Sequence, residues 1–286
     1  MRNIENIEIF YFIGIGGIGM SALARYFHLR GKQVFGYDKT PTNLTNTLIS
    51  EGISIQFDDE INEIPEEIKC NDKSLIIRTP AVPDSNLILS WLKSKNYLIC
   101  KRAELLGELS KNSICLAVAG THGKTTTSSI LSHLLTYCNM PITAFLGGVT
   151  ENYNSNLIYK GDKIMVIEAD EFDRSFLHLS PKIACITSMD ADHLDIYKSE
   201  NALEKTFVEF SKLVSNTNNL LFKKGLPLVG NTISTEEAAD YQAKNIRVED
   251  GCYVFDLKTP SKEIKDLHFN LPGRHNMFNA VTALGM

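Results

Sequence analysis

Residues 114–127 read ICLAVAGTHGKTTT. Ile114 to Ala119 are apolar or small and predict a buried strand. A glycine-containing loop follows, and the pattern then predicts a long helix over Thr125 to Tyr137. Strand, loop and helix in that order make a phosphate cradle. Successive backbone N–H groups form a nest for anionic oxygens, a lysine adds a point charge, and a threonine hydroxyl suits Mg²⁺. Gly120, Thr121, His122, Gly123, Lys124, Thr125 and Thr126 are therefore read as an ATP-binding loop. The usual loop has a glycine where this chain has Val118, and its early glycine is Gly120 instead. That departure points to a special class of phosphate loop.

Working towards the N-terminus, IEIFYFI at 7–13 is β-prone and runs into Gly14-Ile15-Gly16-Gly17-Ile18-Gly19. A helix is expected over Met20 to Leu29 and a strand over Gln33 to Tyr37. This is a βαβ unit whose G-x-G-x-x-G turn lets the backbone approach a diphosphate at a helix N-terminus. Asp38 ends the second strand, where an acid can bond a ribose hydroxyl. Taken alone the pattern fits an NAD-binding Rossmann domain, and it does not specify the nucleotide. Strand and helix patterns keep alternating through Leu75–Ile77, Asn86–Lys95, Tyr97–Cys100 and Ala103–Ser110. The alternation restarts at Ile114, which predicts α/β architecture with parallel sheets and a domain boundary near residue 110. The expected domains are 1–109, Rossmann-like, and 110–286, a phosphate-loop α/β domain.

Towards the C-terminus, two apolar strands are expected over Lys163–Glu168 and Ile183–Thr187. Ligands of open α/β sheets bind at the carboxyl ends of strands. Glu168, in Glu168-Ala169-Asp170-Glu171, and His193, in the run Asp190 to Asp195, sit at such ends and are candidate metal ligands. Of Asp190, Asp192 and Asp195, at least two read as solvated loop acids. Residues 216–250 carry weak signals, and 251–271 contain pieces of a hairpin edge. Leu271-Pro272-Gly273 turns into a last helix with Asn276 and Asn279 on one face. Their amides suit an adenine edge, and helix capping explains them about as well.

The 286 residues include 29 basic and 34 acidic side chains, a net charge of −5. That balance argues against coating nucleic acid or anionic membrane. Ile9 to Met20 is too short and too glycine-rich to span a bilayer, and Glu5 and Glu8 stand where a signal peptide needs cations. Cys70, Cys100, Cys115, Cys138, Cys185 and Cys252 are scattered without a C-x-x-C pair, as in a cytoplasmic protein with reduced thiols. A monomer or weak homodimer is expected.

GIGGIGMSALA at 14–24, GTHGKTTT at 120–127, EADE at 168–171, DADHLDIY at 190–197 and LPGRHNMFNA at 271–280 occur in one order. Together they resemble the Mur ligase family of peptidoglycan synthesis. The resemblance implies an ATP- and Mg²⁺-dependent ligase of three domains, of which this chain would hold the first two. It implies UDP-N-acetylmuramate and L-alanine as substrates. Gly14, Gly16, Gly17, Ile18 and Gly19 would hold the UDP diphosphate, with Asp38 near the uridine, so nicotinamide has no place. Lys124 and Thr125 would meet ATP phosphates and Mg²⁺. Glu168 and His193 would be metal ligands, Lys124, Glu168 and His193 would carry catalysis, and Asn276 and Asn279 would contact adenine. Arg102, in a family-like Lys101-Arg102-Ala103-Glu104 stretch, would help position substrate, and a surface or structural role explains it about as well; Arg78 replaces the small hydroxyl residue of many relatives. An NAD-dependent oxidoreductase, an ATP-driven switch without ligase chemistry, and another Mur-type ligase are the competing readings. The chain ends inside an unclosed helix at Met286, and a truncated ligase is expected.

Overall fold

A computed structural model describes residues 4–69, 73–190 and 200–286. It divides into two compact units, Met1–Leu106 with Glu151–Leu157, and Gly107–Thr150 with Ile158–Met286.

The first unit holds strands β1 (Ile9–Ile13), β2 (Gln33–Tyr37), β3 (Ser54–Gln56), β4 (Ser74–Arg78) and β5 (Ile99–Lys101). Its helices are α1 (Ile18–Leu29), α2 (Asn43–Ser50), α3 (Glu66–Lys69) and α4 (Leu87–Ser94), and α5 (Arg102–Ser110) begins in it. The sheet order is β3-β2-β1-β4-β5, all parallel. Every residue of β1 is buried, because helices cover both faces of a parallel sheet. Phe10 stacks on Phe27 of α1 at 3.8 Å between ring centroids. The chain winds from β1 to β2 and β3, then returns across β1 to β4. The strand order therefore reverses at the carboxyl end of β1, which is where open α/β sheets bind ligands.

The start of α1 is held from below. Asn156, fully buried, donates to the Ile18 carbonyl at 2.6 Å and to Ser21 Oγ at 2.9 Å. Its own oxygen accepts from the Arg25 guanidinium, and Arg25 pairs with Glu51 at 2.7 Å. Each buried polar group of this cluster thus has a partner, as burial requires.

The second unit holds β6 (Ile114–Ala119), α6 (Lys124–Tyr137), β7 (Ile142–Thr150), the end of β8 (Ser155–Tyr159), β9 (Ile164–Glu168) and β10 (Ile183–Ile186). It continues with α7 (Glu200–Ser211), β11 (Leu220–Lys223), β12 (Asn231–Ser234), β13 (Tyr241–Glu249), β14 (Cys252–Lys258), β15 (Glu263–Phe269) and α8 (Arg274–Gly285). The sheet runs β15-β14-β13-β12-β11-β10-β6-β9-β7-β8. From β13 to β7 the pairing is parallel, and β13-β14-β15 form an antiparallel meander. Register decides the site: Val118 lies opposite Glu168, and Ala119 opposite Ile186. The phosphate loop, Glu168 and the residues after β10 consequently leave the sheet at one edge.

The α/β architecture and most strands match the expectation. Five elements were not legible: α2, β3, α3, β7 and β8. The weakly patterned stretch 216–250 contains β11, β12 and β13. Among the described residues, no helix is long and apolar enough to cross a membrane.

The meander carries its own anchor. Asp256 accepts from the Asp266 N–H at 3.0 Å, the Asn245 amide at 2.6 Å and Lys265 Nζ at 3.0 Å. Asn245 and Asp266 both have left-handed backbone, at φ 51° and 52°, and each lies at or beside a register shift. One carboxylate thus ties two irregular turns to the central strand. These donors hold Asp256 below the ordinary carboxylate range, at about 2. A depressed folded-state pKa means stability that is complete above the unfolded value and is lost as pH falls through the folded one. Asp256→Asn should lower the melting temperature at pH 7, with the gap to the wild type closing as pH drops from 4 towards 2. A gap that stays constant across that range in calorimetric scans would remove the charge from the explanation.

Candidate functional site

In the second unit, β6 delivers the loop and α6 receives it. Gly120 has φ 133° and Gly123 has φ 79°, conformations that L side chains rarely adopt. Gly123 is the N-cap of α6, so the first N–H groups of that helix open towards the loop. The loop is clamped from the strand beside it. Ser188 Oγ accepts the His122 N–H at 2.8 Å and lies 2.8 Å from Thr121 Oγ1. Thr187 Oγ1 donates to the carbonyls of Ala119, at 3.1 Å, and His122. The Asp190 N–H donates to Thr121 Oγ1 at 3.1 Å.

Lys124 Nζ donates to the Gly120 carbonyl at 2.6 Å and meets Glu171 Oε1 at 2.8 Å. Thr125 Oγ1 donates to Glu168 Oε1 at 2.9 Å, and the Gly147 N–H donates to Glu168 Oε2 at 2.8 Å. Burial pushes the Glu168 carboxyl up from its ordinary value, while Gly147, Thr125 and the Lys124 charge pull it down. A cation beside a buried carboxylate favours its charged form. A Cβ at Gly147 would come within 2.7 Å of Glu168 Oε2, so the glycine makes room for the carboxylate. Mg²⁺ keeps several waters and takes one or two protein oxygens beside phosphates, and the Thr125 and Glu168 oxygens fit that role.

A cavity of about 550 Å³ opens beside the loop. His122, Gly123, Thr187, Ser188 and Asp190 form one wall, and His275, Phe278 and Asn279 of α8 another. Lys224, Ile233 and Glu237 contribute to the remainder. Asn279 is buried and packs against the loop itself, since a Cβ at Gly123 would lie 3.2 Å from Asn279 Cγ. Asn276 is on the same helix, but its amide donates to the Pro272 carbonyl at 2.7 Å. His122 is exposed, 3.7 Å from Asp190, and Thr126 is half-buried on the first turn of α6. His193, Asp192 and Asp195 lie outside the described residues.

In the first unit, the Gly16 N–H donates to Asp38 Oδ2 at 2.7 Å, and Asp38 Oδ1 accepts from the Thr40 N–H at 3.1 Å. Asp38 therefore shapes the glycine loop from the end of β2. Gly14 has φ 84°, and Gly17 is the N-cap of α1, with Ile18 and Gly19 in its first turn. Arg102 Nη1 lies where a Cβ on Gly19 would come within 2.5 Å, so the guanidinium rests directly on the helix start. Arg78 is engaged with Asp84 at 2.6 Å. A Cβ at Gly16 would lie 2.8 Å from Asp38 Oδ2 and 2.9 Å from Thr45 Cγ2, whereas at Gly17 the nearest atom is 3.5 Å away. Gly16→Ala should cost about 2 kcal/mol, a drop in Tm of roughly 4–8 °C. Gly17→Ala should stay within about 1 °C of the wild type. Equal shifts in the two variants would contradict the packing described.

Thr187, Ser188, Gly147 and Phe278 had no assigned role in the sequence reading. Only the Gly147-Gly148 pair inside an apolar run was a usable signal, as a mark of close approach.

The family described as Mur ligase middle domain matches residues 118–286, and the Mur ligase family, catalytic domain, matches residues 9–113. The chain belongs to the Mur ligase family. It is 56% identical over 287 residues to the UDP-N-acetylmuramate–L-alanine ligase of Christiangramia forsetii, covering 100% of this chain and 64% of that protein. The enzyme of the same description from Flavobacterium johnsoniae is 56% identical over 284 residues, covering 99% and 63%. The crystal structure of UDP-N-acetylmuramate-alanine ligase from Thermotoga maritima superposes with a TM-score of 0.83 at 27% identity, covering 96% of this chain and 63% of that one. The chain thus spans about 64% of the length of the curated relatives it matches.

Proposed function

We propose that the protein carrying this chain is an ATP-dependent ligase of the cytoplasm. It would join the amine of L-alanine to the carboxylate of UDP-N-acetylmuramate through an acyl phosphate, in peptidoglycan precursor synthesis. The observation that carries the reading is one sheet edge of the second unit. Lys124, Thr125 and Glu168 converge there beside a 550 Å³ cavity that ends on Asn279. Two relatives at 56% identity bear the name of this ligase.

In this reading the nest of loop N–H groups and Lys124 hold the phosphate oxygens of ATP in line for attack by the substrate carboxylate. The carboxylate oxygen bonds to the γ-phosphorus and ADP leaves. The amine nitrogen then bonds to the acyl carbon, phosphate leaves, and the amine gives up its proton. Mg²⁺ held by Thr125 and Glu168, with His193 assigned by resemblance, would neutralise charge on those oxygens. Asn279, with its buried amide, is assigned to the adenine edge. Asn276 stands beside it on α8 and would have to release Pro272 to take part. The Gly14–Gly19 loop, Asp38 and Arg102 are assigned to the UDP sugar. We place the alanine-binding residues in the part of the relatives that this chain does not span.

The test is phosphate release by the full-length ligase, with UDP-N-acetylmuramate and each candidate amino acid in turn. Release should require both the sugar nucleotide and L-alanine. ATP hydrolysis indifferent to the sugar nucleotide would indicate a switch instead. Equal turnover with another amino acid would move the protein to a neighbouring ligase.

A further inference from the structure

The chemistry above leaves Glu171 unused. Its side chain is fully buried, and its Oε1 lies 2.8 Å from the Lys124 ammonium. We propose that Glu171 is a positioning residue that aims Lys124 before ATP arrives; the proposal rests on the ATP-site reading. Lys124 is a compact charge on a flexible four-carbon stem. An ammonium has three donors. Here one goes to Glu171 and one to the Gly120 carbonyl at 2.6 Å. Two fixed acceptors on opposite elements, one on the loop and one after β9, hold the ammonium across the mouth of the loop.

The segment bearing Glu171 is built to stay where it is. Asp173 and Arg174 follow with φ 51° and 56°, two consecutive non-glycine residues in the left-handed region. Such backbone persists only where its surroundings over-determine it, and it gathers at functional sites. The surroundings here do so. The Arg174 N–H donates to the Glu171 carbonyl at 3.0 Å, and the Phe176 N–H donates to the Asp170 carbonyl at 3.0 Å. Phe176 is buried, stacked on Phe210 at 4.6 Å and edge-on to Phe207 at 5.4 Å, both from α7. Arg174 pairs with Glu209 of the same helix. An aromatic anchor and an ion pair on α7 therefore hold a strained turn whose first residue is the lysine's counter-ion.

A carboxylate in this place has two opposed effects on ATP. Its charge repels the incoming phosphates and so weakens binding. Its hold on Lys124 removes the search for the productive rotamer and so speeds the bound complex. A residue that served only to support the fold would produce neither effect separately.

The experiment compares kcat and KM for ATP in the full-length ligase and in its Glu171→Gln, Glu171→Asp and Lys124→Ala variants. Sugar-nucleotide binding and Tm are followed alongside. Glu171→Gln should lower kcat by about 30-fold while KM for ATP stays equal or falls. Glu171→Asp keeps the charge but withdraws it by one methylene, and should lower kcat by about fivefold with KM unchanged. If Glu171→Gln does not fold, the Glu171→Asp result decides. A kcat within twofold of the wild type in whichever variant decides, or a rise in KM together with a fall in Tm, would overturn the proposal. Lys124→Ala separates this failure from that of the site: normal turnover in that variant would remove the ATP-site reading itself.

Discussion

Lys124→Ala in the full-length ligase should lower kcat by about a thousandfold or more, on the order of 4 kcal/mol of lost transition-state stabilisation. The size follows from how little else is available to do its work. Phosphoryl transfer asks a protein mainly for position and charge. Among the described residues at the loop, Lys124 is the cation already aligned with it, bonded to the Gly120 carbonyl at 2.6 Å. The substitution also disturbs the fold, because it takes the ammonium from beside the buried Glu171 carboxylate. Breaking a buried pair from one side costs about 3 kcal/mol or more. The double variant Lys124→Ala/Glu171→Gln should therefore regain most of the lost Tm and none of the lost rate. Binding of the proposed sugar nucleotide should persist in both, because the residues assigned to it belong to the first unit. Recovery of rate along with stability would show that the single variant had failed for want of folding, and the role given to Lys124 would fall.

The parts of this site that a reader of the chain could find are those whose chemistry is local. Gly120 to Thr126 are contiguous because a phosphate nest needs consecutive N–H groups, and the apolar run Ile114–Ala119 fixes the direction from which they emerge. Glu168 was found because it ends an apolar strand. Thr187 and Ser188 escaped because their role depends on β10 lying beside β6, although more than 60 residues separate them from the loop. Sheet order is not written in periodicity. The strand β7 escaped for a different reason. Gly147 and Gly148 interrupt it, and Gly147 is there to admit the Glu168 carboxylate. The helix α2 was hidden by its composition, asparagine and threonine where helix formers are expected. It starts all the same from a capping box of Thr42 and Thr45, a pair that lacks the usual glutamate at the third position. For Thr187, Ser188 and β7, tertiary placement overrode the local signal; for α2, composition hid it.

Gly120→Ala should reduce ATP affinity by at least a hundredfold and lower stability by about 3 kcal/mol. Two independent effects act at this position. The backbone has φ 133°, a region that an alanine enters only with strain. The added Cβ would also lie 2.9 Å from the backbone nitrogens of Thr187 and Ser188, and closer still to Thr187 Oγ1. Two of those atoms are main chain on a sheet strand's exit and cannot swing aside, so the loop must move. Moving it displaces the Gly120 carbonyl that steadies Lys124 and the N–H array that follows. Gly148 offers a comparison at the same edge, because its Cβ would meet only Thr125 Cγ2, at an ordinary 3.4 Å. Gly148→Ala should keep ATP affinity within about threefold. Calorimetric titration of both variants with the Mg²⁺ complex of ATP, beside their thermal scans, reads the contrast directly. If Gly120→Ala bound ATP as the wild type does, the loop would not be held by Thr187 and Ser188 as described. If it lost stability but kept affinity, the strain would be real and the phosphate cradle would lie elsewhere.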